Sequence, residues 1–271
     1  MGEHPLTVDV REGGQVLHLL LDAPKANVLD GRMLAGISAA LDRHGESARL
    51  KAIVFEGAGV HFSFGASVPE HTRERAGAML AQLHGLMRRL LALGVPTAAV
   101  VRGQCLGGGL ELAGFCSWVF ASPTAAFGQP EIRLAVFPPF ASVLLPWRLG
   151  GGRALDLCVS GRSIDAQTAL AWGLAHAVVD DPSAACARFL AEEILPKSAS
   201  SLRRAERAAR GELARLVEHA LPGLERDYLE DLMETHDANE GIAAFIERRP
   251  ARWEADRVAE ADEHTEREQT R

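Results

Sequence analysis

The sequence is poor in cysteine, and the few cysteines that it has stand far apart. The 271-residue chain contains four of them, and none lies in a Cys-x-x-Cys pair or at the spacing of a zinc site. This pattern argues against a disulfide framework and favours free thiols in a reducing compartment. The four positions are Cys105, Cys116, Cys158 and Cys186.

The sequence also lacks an excess of positive charge and a long apolar run. Its formal net charge is −7 at pH 7, which argues against nucleic acid as the main partner. Gly94 and Pro96 break the longest apolar stretch before it reaches the length of a membrane span, so no membrane partner is expected. Residues 1–5 are not followed by a signal-peptide core. We therefore expect a cytoplasmic protein.

Three common functional motifs are missing as well. The absence of a Gly-x-Ser-x-Gly elbow argues against a serine hydrolase. The glycines do not form Gly-x-Gly-x-x-Gly after the first predicted strand, which argues against a dinucleotide site. The ten histidines show no metal-ligand spacing, so no metal is expected. His71 follows the loop at residues 62–67, and a role for it beside a substrate stays open.

The apolar pattern that is present predicts alternating strands and helices. Apolar runs predict strands at 16–21, 51–56, 97–101 and 117–121. Large apolar residues at helical spacing predict a long helix before the third strand, and Asp30 is a candidate cap for an earlier helix. This alternation is typical of an α/β fold with parallel strands. From residue 184 the pattern is helical, and beyond Pro250 it is dominated by charge.

A glycine-rich stretch at residues 103–113 organises the rest of the chain. It joins the third predicted strand to a predicted helix that begins near Leu110. A helix start offers unpaired N–H groups, and glycine lets a ligand approach them closely. Such donors can form an oxyanion hole, and the nearby Glu111 suits acid/base chemistry beside a carbonyl. A turn needed only for strand–helix packing, with Glu111 in solvent, explains this stretch equally well.

A second carboxylate, Glu131, follows twenty positions after Glu111, in the motif Phe-Gly-Gln-Pro-Glu-Ile. Taken alone, it is better explained as a surface residue of a loop. Two carboxylates near one oxyanion hole, however, could share the removal and delivery of a proton. The loop at 62–67 follows a predicted strand, where α/β proteins place ligand contacts. A bulky apolar run at 135–140 completes the set of candidate site segments.

Together these motifs resemble the crotonase, or enoyl-CoA hydratase/isomerase, superfamily. The resemblance rests on Gly-Gln-Cys-Leu-Gly-Gly-Gly-Leu-Glu-Leu-Ala (103–113), Phe-Gly-Gln-Pro-Glu-Ile (127–132) and Phe-Gly-Ala-Ser (64–67). It implies an α/β fold, a spiral of ββα units with a helical C-terminal trimerisation region, assembled as a homotrimer or homohexamer. The domains that follow from it are the spiral core at 1–195, the helical region at 196–250 and a charged tail at 251–271.

The resemblance also implies the site residues. The N–H groups of Ala66 and Gly108 match the oxyanion hole that holds the thioester carbonyl of an acyl-CoA. Glu111 and Glu131 match the paired acid/base carboxylates. No cofactor is implied, because coenzyme A is part of the substrate. Contacts to the acyl group and to coenzyme A are expected from Lys25, Ala26, Phe64, Ser67, Val68, Pro69, Phe137 and Phe140.

Two departures from the usual family pattern narrow the expected substrate. Ser67 replaces an acid, and residues 137–142, with two phenylalanines and two prolines, replace a small, glycine-rich run. Residues 62–71 and 130–141 resemble the family members of anaerobic aromatic degradation that hydrate cyclohexa-1,5-diene-1-carbonyl-CoA to 6-hydroxycyclohex-1-ene-1-carbonyl-CoA. The resemblance thus predicts a hydro-lyase for this cyclic thioester. The alternatives are an ordinary 2-enoyl-CoA hydratase or isomerase of fatty-acid β-oxidation and, less favoured, a non-catalytic acyl-CoA-binding protein.

Overall fold

The computed structural model describes residues 5–23 and 26–254, and its strands form two sheets. The larger sheet contains β1 Leu6–Arg11, β2 Val16–Leu21, β3 Ala52–Gly57, β4 Thr97–Val101, β6 Trp118–Ala121 and β9 Ala177–Val178. These strands lie in the order β1-β2-β3-β4-β6-β9. Strand β1 is antiparallel to β2, and all other neighbours are parallel. The smaller sheet joins β5 Gln104–Leu106, β7 Ala126–Gly128 and β8 Ser163–Asp165. Because β5 and β7 run parallel, the segments that follow them leave the sheet at the same edge.

Helices cover both faces of the large sheet and continue through the C-terminal part of the chain. Asp30 caps the first of them, because its carboxylate accepts a hydrogen bond from the N–H of Met33 at 2.9 Å, as predicted. The helices are α1 Gly31–His44, α2 Arg73–Leu93, α3 Gly108–Phe115, α4 Pro139–Leu149, α5 Gly151–Ser160, α6 Ala166–Trp172, α7 Pro182–Phe189, α8 Ala199–Ala209, α9 Gly211–His219, α10 Leu221–Arg226 and α11 His236–Glu247.

The strands predicted from apolar runs are confirmed, with shifts of one residue at 51–56 and 117–121. The sequence does not predict β1, because only its first residue, Leu6, is buried and the next five face solvent. An edge strand of this kind carries no continuous apolar run. The small sheet is also missed, since three-residue strands are too short to show a period.

The helical C-terminal region packs against the rest of the fold in two places. Leu213, Val217 and Leu221 belong to the main hydrophobic core, which also contains the buried faces of α1 and α2. Tyr228 and Ile242 belong to a separate cluster with residues of α2 and of the segment before α4. The second contact covers the end of α2 that lies near Ala66. The role of this region in trimerisation and the boundaries at 195 and 250 stay predictions.

Candidate active site

The loop at residues 62–66 runs beside β5, and hydrogen bonds hold the two together. The N–H of Ser63 donates to the carbonyl of Gln104 at 3.1 Å, and the N–H of Leu106 donates back to the carbonyl of Ser63 at 3.0 Å. Strand β5 leads directly into Gly107 and Gly108. The pairing therefore brings the predicted donor Ala66 next to the start of α3.

Asn27 fixes the other side of this loop, a role that the sequence does not predict. Its side-chain nitrogen donates to the carbonyls of Ala58 and His61, at 3.0 Å each. Next to it, the N–H of Phe64 donates to the carbonyl of Ala26 at 2.9 Å. Asn27 is buried and takes φ +45°, in a region that asparagine tolerates better than most residues. Ala26 and Phe64, both predicted to contact coenzyme A, are thus neighbours.

The two predicted oxyanion donors lie side by side. A Cβ atom added to Gly108 would lie 3.3 Å from the nitrogen of Ala66, and a Cβ added to Gly65 would lie 3.0 Å from the nitrogen of Gly108. Gly65 also has φ +90°, so this close approach depends on glycine there. Within the described part of the chain, neither the Ala66 nor the Gly108 N–H donates to another residue. Both donors are therefore free for an oxygen atom of a ligand.

Glu111 lies in the first turn of α3, and its side chain is buried at 3% exposure. One carboxylate oxygen accepts a hydrogen bond from the N–H of Ala141 at 2.7 Å. Burial raises the pKa of Glu111, and the nearby His84 ring and the Ala141 N–H offset part of this rise. The alternative of a solvated glutamate is wrong for this residue.

Glu131 reaches the same place from the other strand of the small sheet. It follows β7 in a short 3₁₀ helix, Pro130–Leu134, and a Cβ added to Gly107 would lie 2.5 Å from its Oε1. Its Oε2 atom is buried and has no hydrogen-bond partner among the described residues. Burial and the neighbouring Glu111 raise the pKa of Glu131 to about 8. This rise favours the protonated form of Glu131 at neutral pH.

Both glutamates and both donors line one partly open cavity of about 20 Å³, which has room for one water molecule. Its wall is otherwise largely apolar, which strengthens electrostatic interactions inside it. The lining residues are Ala66, His71, Met79, Leu80, Leu83, His84, Gly108, Glu111, Glu131, Phe137, Pro138, Pro139 and Tyr228. Paired carboxylates and two free N–H groups at such a site can activate water beside a carbonyl group.

Of the two phenylalanines predicted to form the pocket wall, only Phe137 lines this cavity. The two prolines that separate the rings begin α4, and Phe140 then points into the main core. Its ring lies 5.8 Å from that of His84 and 6.4 Å from that of Phe115, between ring centroids. The predicted substrate contact of Phe140 is corrected to a supporting one, because its side chain is fully buried behind the wall.

Those of the remaining predicted contacts that the structure describes lie outside the cavity, towards the surface. Phe64 is 42% exposed and meets the His61 ring edge-on, with centroids 5.0 Å apart. The carbonyl of Ser67 bonds to His71 Nδ1 at 2.9 Å. Val68 and Pro69 start a short 3₁₀ helix, Val68–Glu70. Lys25 and the tail beyond Glu254 lie outside the described residues.

The sequence does not single out two polar residues of the cavity, His84 and Tyr228. His84 lies among buried leucines and methionines on α2, so the helical period makes it resemble core. Tyr228 is the one tyrosine of the chain and lies in a short π-helix, Asp227–Asp231. That it is the single tyrosine is the one feature of the sequence that could have indicated a functional role.

No helix in the described ranges is long and apolar enough to cross a membrane. The same residues contain no group of three metal-ligating side chains.

Residues 11–256 match the model of the enoyl-CoA hydratase/isomerase family, and the chain belongs to that family. A cyclohexa-1,5-dienecarbonyl-CoA hydratase of Thauera aromatica is 48% identical over 92% of this chain and 97% of its own. A probable enoyl-CoA hydratase of Mycobacterium tuberculosis is 36% identical over 90% of this chain and 96% of its own.

Solved structures share the fold. A crystal structure of an enoyl-CoA hydratase from Mycobacterium avium subsp. paratuberculosis has a TM-score of 0.80 and 27% identity, covering 92% of this chain and 98% of that one. One from Pseudoalteromonas atlantica, described as an enoyl-CoA hydratase/isomerase, has a TM-score of 0.80 and 26% identity, covering 92% of this chain and all of that one. The predicted family, the crotonase-like α/β fold and the hydro-lyase class are confirmed.

Proposed function

We propose that the protein hydrates cyclohexa-1,5-diene-1-carbonyl-CoA to 6-hydroxycyclohex-1-ene-1-carbonyl-CoA. The observation that carries this proposal is the 48% identity, over nearly the whole chain, with a hydratase of that substrate. The site supports it, because Glu111 and Glu131 line one cavity with Ala66 and Gly108. Phe137 and two prolines give that cavity a bulky apolar wall that suits a ring.

In the proposed reaction, the thioester oxygen accepts hydrogen bonds from the N–H groups of Ala66 and Gly108. Water adds to the ring carbon β to the carbonyl, and negative charge spreads onto that oxygen and along the second double bond. Donors placed where this charge develops lower the barrier, and removing one of them typically costs about 3–4 kcal/mol. A proton at the far end of the dienolate completes the product, which keeps one conjugated double bond.

The surroundings of the two glutamates favour different roles. Glu131, whose pKa is raised to about 8, carries a proton at neutral pH. The Glu111 carboxylate accepts the Ala141 N–H bond and lies near His84, and both contacts favour its ionised form. We therefore assign the activation of water to Glu111. Glu131 positions the water or passes its proton on.

An acyl-CoA thioester fits the family as substrate, and we propose that coenzyme A enters with the substrate and that the enzyme uses no separate cofactor. The pantetheine arm of coenzyme A would run along Ser67, Val68 and Pro69, and its nucleotide end would reach Lys25 and Ala26. Phe64, whose N–H donates to the carbonyl of Ala26, would contact the same substrate. We further propose a cytoplasmic homotrimer or homohexamer that binds neither nucleic acid nor membrane. The net charge of −7 supports the first of these two exclusions.

The value of kcat/KM is expected to fall above about pH 8. Below that pH the Glu131 carboxyl is protonated, and above it the group ionises beside Glu111 and loses the proton that it positions or relays. The loss should approach about tenfold per pH unit on the alkaline side. Steady-state rates with crotonyl-CoA from pH 6 to pH 10 check this expectation. The residual rate of Glu131→Gln should lack the alkaline limb, and a wild-type profile that stays level to pH 10 would contradict the assignment.

The cyclic dienoyl-CoA is expected to exceed crotonyl-CoA in kcat/KM by about 10²-fold, the scale on which a shaped apolar pocket discriminates. Phe137→Leu should reduce this preference. Phe189→Leu is the matched control, because that ring packs on Trp118 and Phe120, outside the cavity. A preference for crotonyl-CoA would indicate an ordinary 2-enoyl-CoA hydratase. Binding of both thioesters without turnover would indicate an acyl-CoA-binding protein.

A further inference from the structure

His84 is a buried histidine, 1% exposed, on the face of α2 that lines the candidate active site. Its Nδ1 atom lies 2.7 Å from Oε1 of Glu225. Arg88, one turn further along α2, donates to both oxygens of the same carboxylate, at 2.9 and 3.1 Å. Because the nitrogen bound to a carboxylate carries a proton, this contact fixes the ring and leaves Nε2 available to the cavity.

Nε2 of His84 is buried and has no hydrogen-bond partner within the residues that the structure describes. Two more buried polar atoms without partners belong to the same cavity, Oε2 of Glu131 and the hydroxyl of Tyr228. Buried polar atoms are normally paired, since leaving them unpaired costs free energy. Three of them around one cavity indicate that a polar ligand completes their hydrogen bonds.

The proposed reaction asks more of the site than the hydration of a linear enoyl thioester. In the linear reaction, the proton goes to the carbon next to the one that receives the hydroxyl group. In the cyclic diene, the new C–O bond forms at the β-carbon and the new C–H bond forms across the ring, at the far end of the dienolate. Two carboxylates that hold one water act at the β-carbon, where the C–O bond forms. The carbon at the far end of the dienolate therefore needs a proton donor of its own.

We propose, on the basis of the proposed function, that His84 is a third catalytic acid/base group and delivers the proton to this far ring carbon. A water O–H bond breaks as its oxygen bonds to the β-carbon, and that proton passes to Glu111. The Nε2–H bond of His84 breaks as the C–H bond forms. The proton on Glu111 then returns to His84, so the cycle balances. Glu225 supplies the carboxylate counter-ion for the imidazolium form.

The other titratable groups that face the cavity suit this step less well. His71 bonds to a neutral carbonyl, and burial lowers its pKa, which disfavours the charged form. Burial and the Glu131 carboxyl raise the pKa of Tyr228, which makes its hydroxyl a weaker acid. Glu111 and Glu131 already hold the water. His84 combines an unpartnered nitrogen with a charged partner, and Arg88 in turn holds that partner in place.

His84→Asn tests the proposal, because the asparagine amide can keep the bond to Glu225 while the cavity nitrogen is removed. The expected result is a loss of about 10²-fold or more in kcat for the cyclic dienoyl-CoA, with KM changed less than about threefold. For crotonyl-CoA, whose proton goes to a different carbon, kcat should fall less than about fivefold. A purely structural role would reduce both rates together.

His18→Asn is the matched control, since His18 is also buried and lies 2.9 Å from a carboxylate, that of Glu56, outside this cavity. It should leave kcat unchanged for both thioesters. Equal losses on the two substrates in His84→Asn, a raised KM at unchanged kcat, or full activity would each overturn the role of His84. A wild-type protein that does not hydrate the cyclic thioester would overturn the proposed function as well, and this outcome is recognised without any variant.

Discussion

Glu111→Gln is expected to lower kcat for hydration by about 10³-fold, within the range that general acid–base catalysis contributes. The amide keeps the shape of the side chain, and its oxygen can still accept the N–H of Ala141, which now donates at 2.7 Å. What is lost is the negative charge that takes a proton from water. Single-turnover kinetics with the cyclic thioester measure this loss separately from substrate binding.

The same substitution should not destabilise the protein at neutral pH. Burial raises the pKa of Glu111. The protonated group therefore adds to the free energy of unfolding, and this contribution is lost as the pH rises above the ordinary pKa of glutamate. Glutamine does not ionise and removes that cost. The melting temperature of Glu111→Gln at pH 7.5 should therefore equal or exceed that of the wild type. Near-normal turnover in a folded Glu111→Gln variant would contradict the assignment of Glu111 as base.

Glu56→Gln is the matched control, and its expected change in melting temperature has the opposite sign. Burial opposes the ionisation of Glu56, but hydrogen bonds from His18, Ser183 and Arg102 outweigh it and lower the pKa to about 2. Its charge therefore stabilises the fold at neutral pH, and this stability is lost progressively as the pH falls from the ordinary value for glutamate towards about 2. Replacing it should lower the melting temperature and leave kcat unchanged.

The glycine-rich stretch and the two glutamates could be found from the sequence because their chemistry is local. Gly107 and Gly108 must approach other atoms closely, and this need leaves a run of glycines in the sequence. That Glu111 and Glu131 meet, however, depends on the parallel pairing of β5 with β7. Strands of three residues give no periodic signal, so only the family resemblance could supply that contact.

Other features of the site depend on contacts that no local pattern records. His84 contacts Glu225, which lies 141 positions away in the sequence. Taken alone, each residue resembles an ordinary helical residue. Phe137 and Phe140 carry the same chemistry three positions apart, yet one faces the cavity and the other the core. The direction of a side chain at the start of α4 is set by tertiary packing, which composition does not encode.

Gly108→Ala is expected to lower kcat/KM by about 10²–10³-fold, the usual effect of losing one oxyanion donor. The new methyl group would lie 3.3 Å from the nitrogen of Ala66 and 3.3 Å from a methyl group of Leu83. It would therefore compete with the thioester oxygen for the space beside the Ala66 N–H. Most of the loss should appear in kcat, because the charge on that oxygen develops only as water adds.

Gly114→Ala separates this effect from any change in the helix that carries it. Both glycines lie in α3, and a Cβ at Gly114 would meet its nearest neighbour, a methyl group of Leu144, at the ordinary distance of 3.6 Å. Alanine favours a helix over glycine by about 1 kcal/mol, so Gly114→Ala should be at least as stable as the wild type and fully active. Equal activity in the two variants would mean that the carbonyl oxygen does not lie between Ala66 and Gly108, whereas a loss confined to Gly108→Ala places it there.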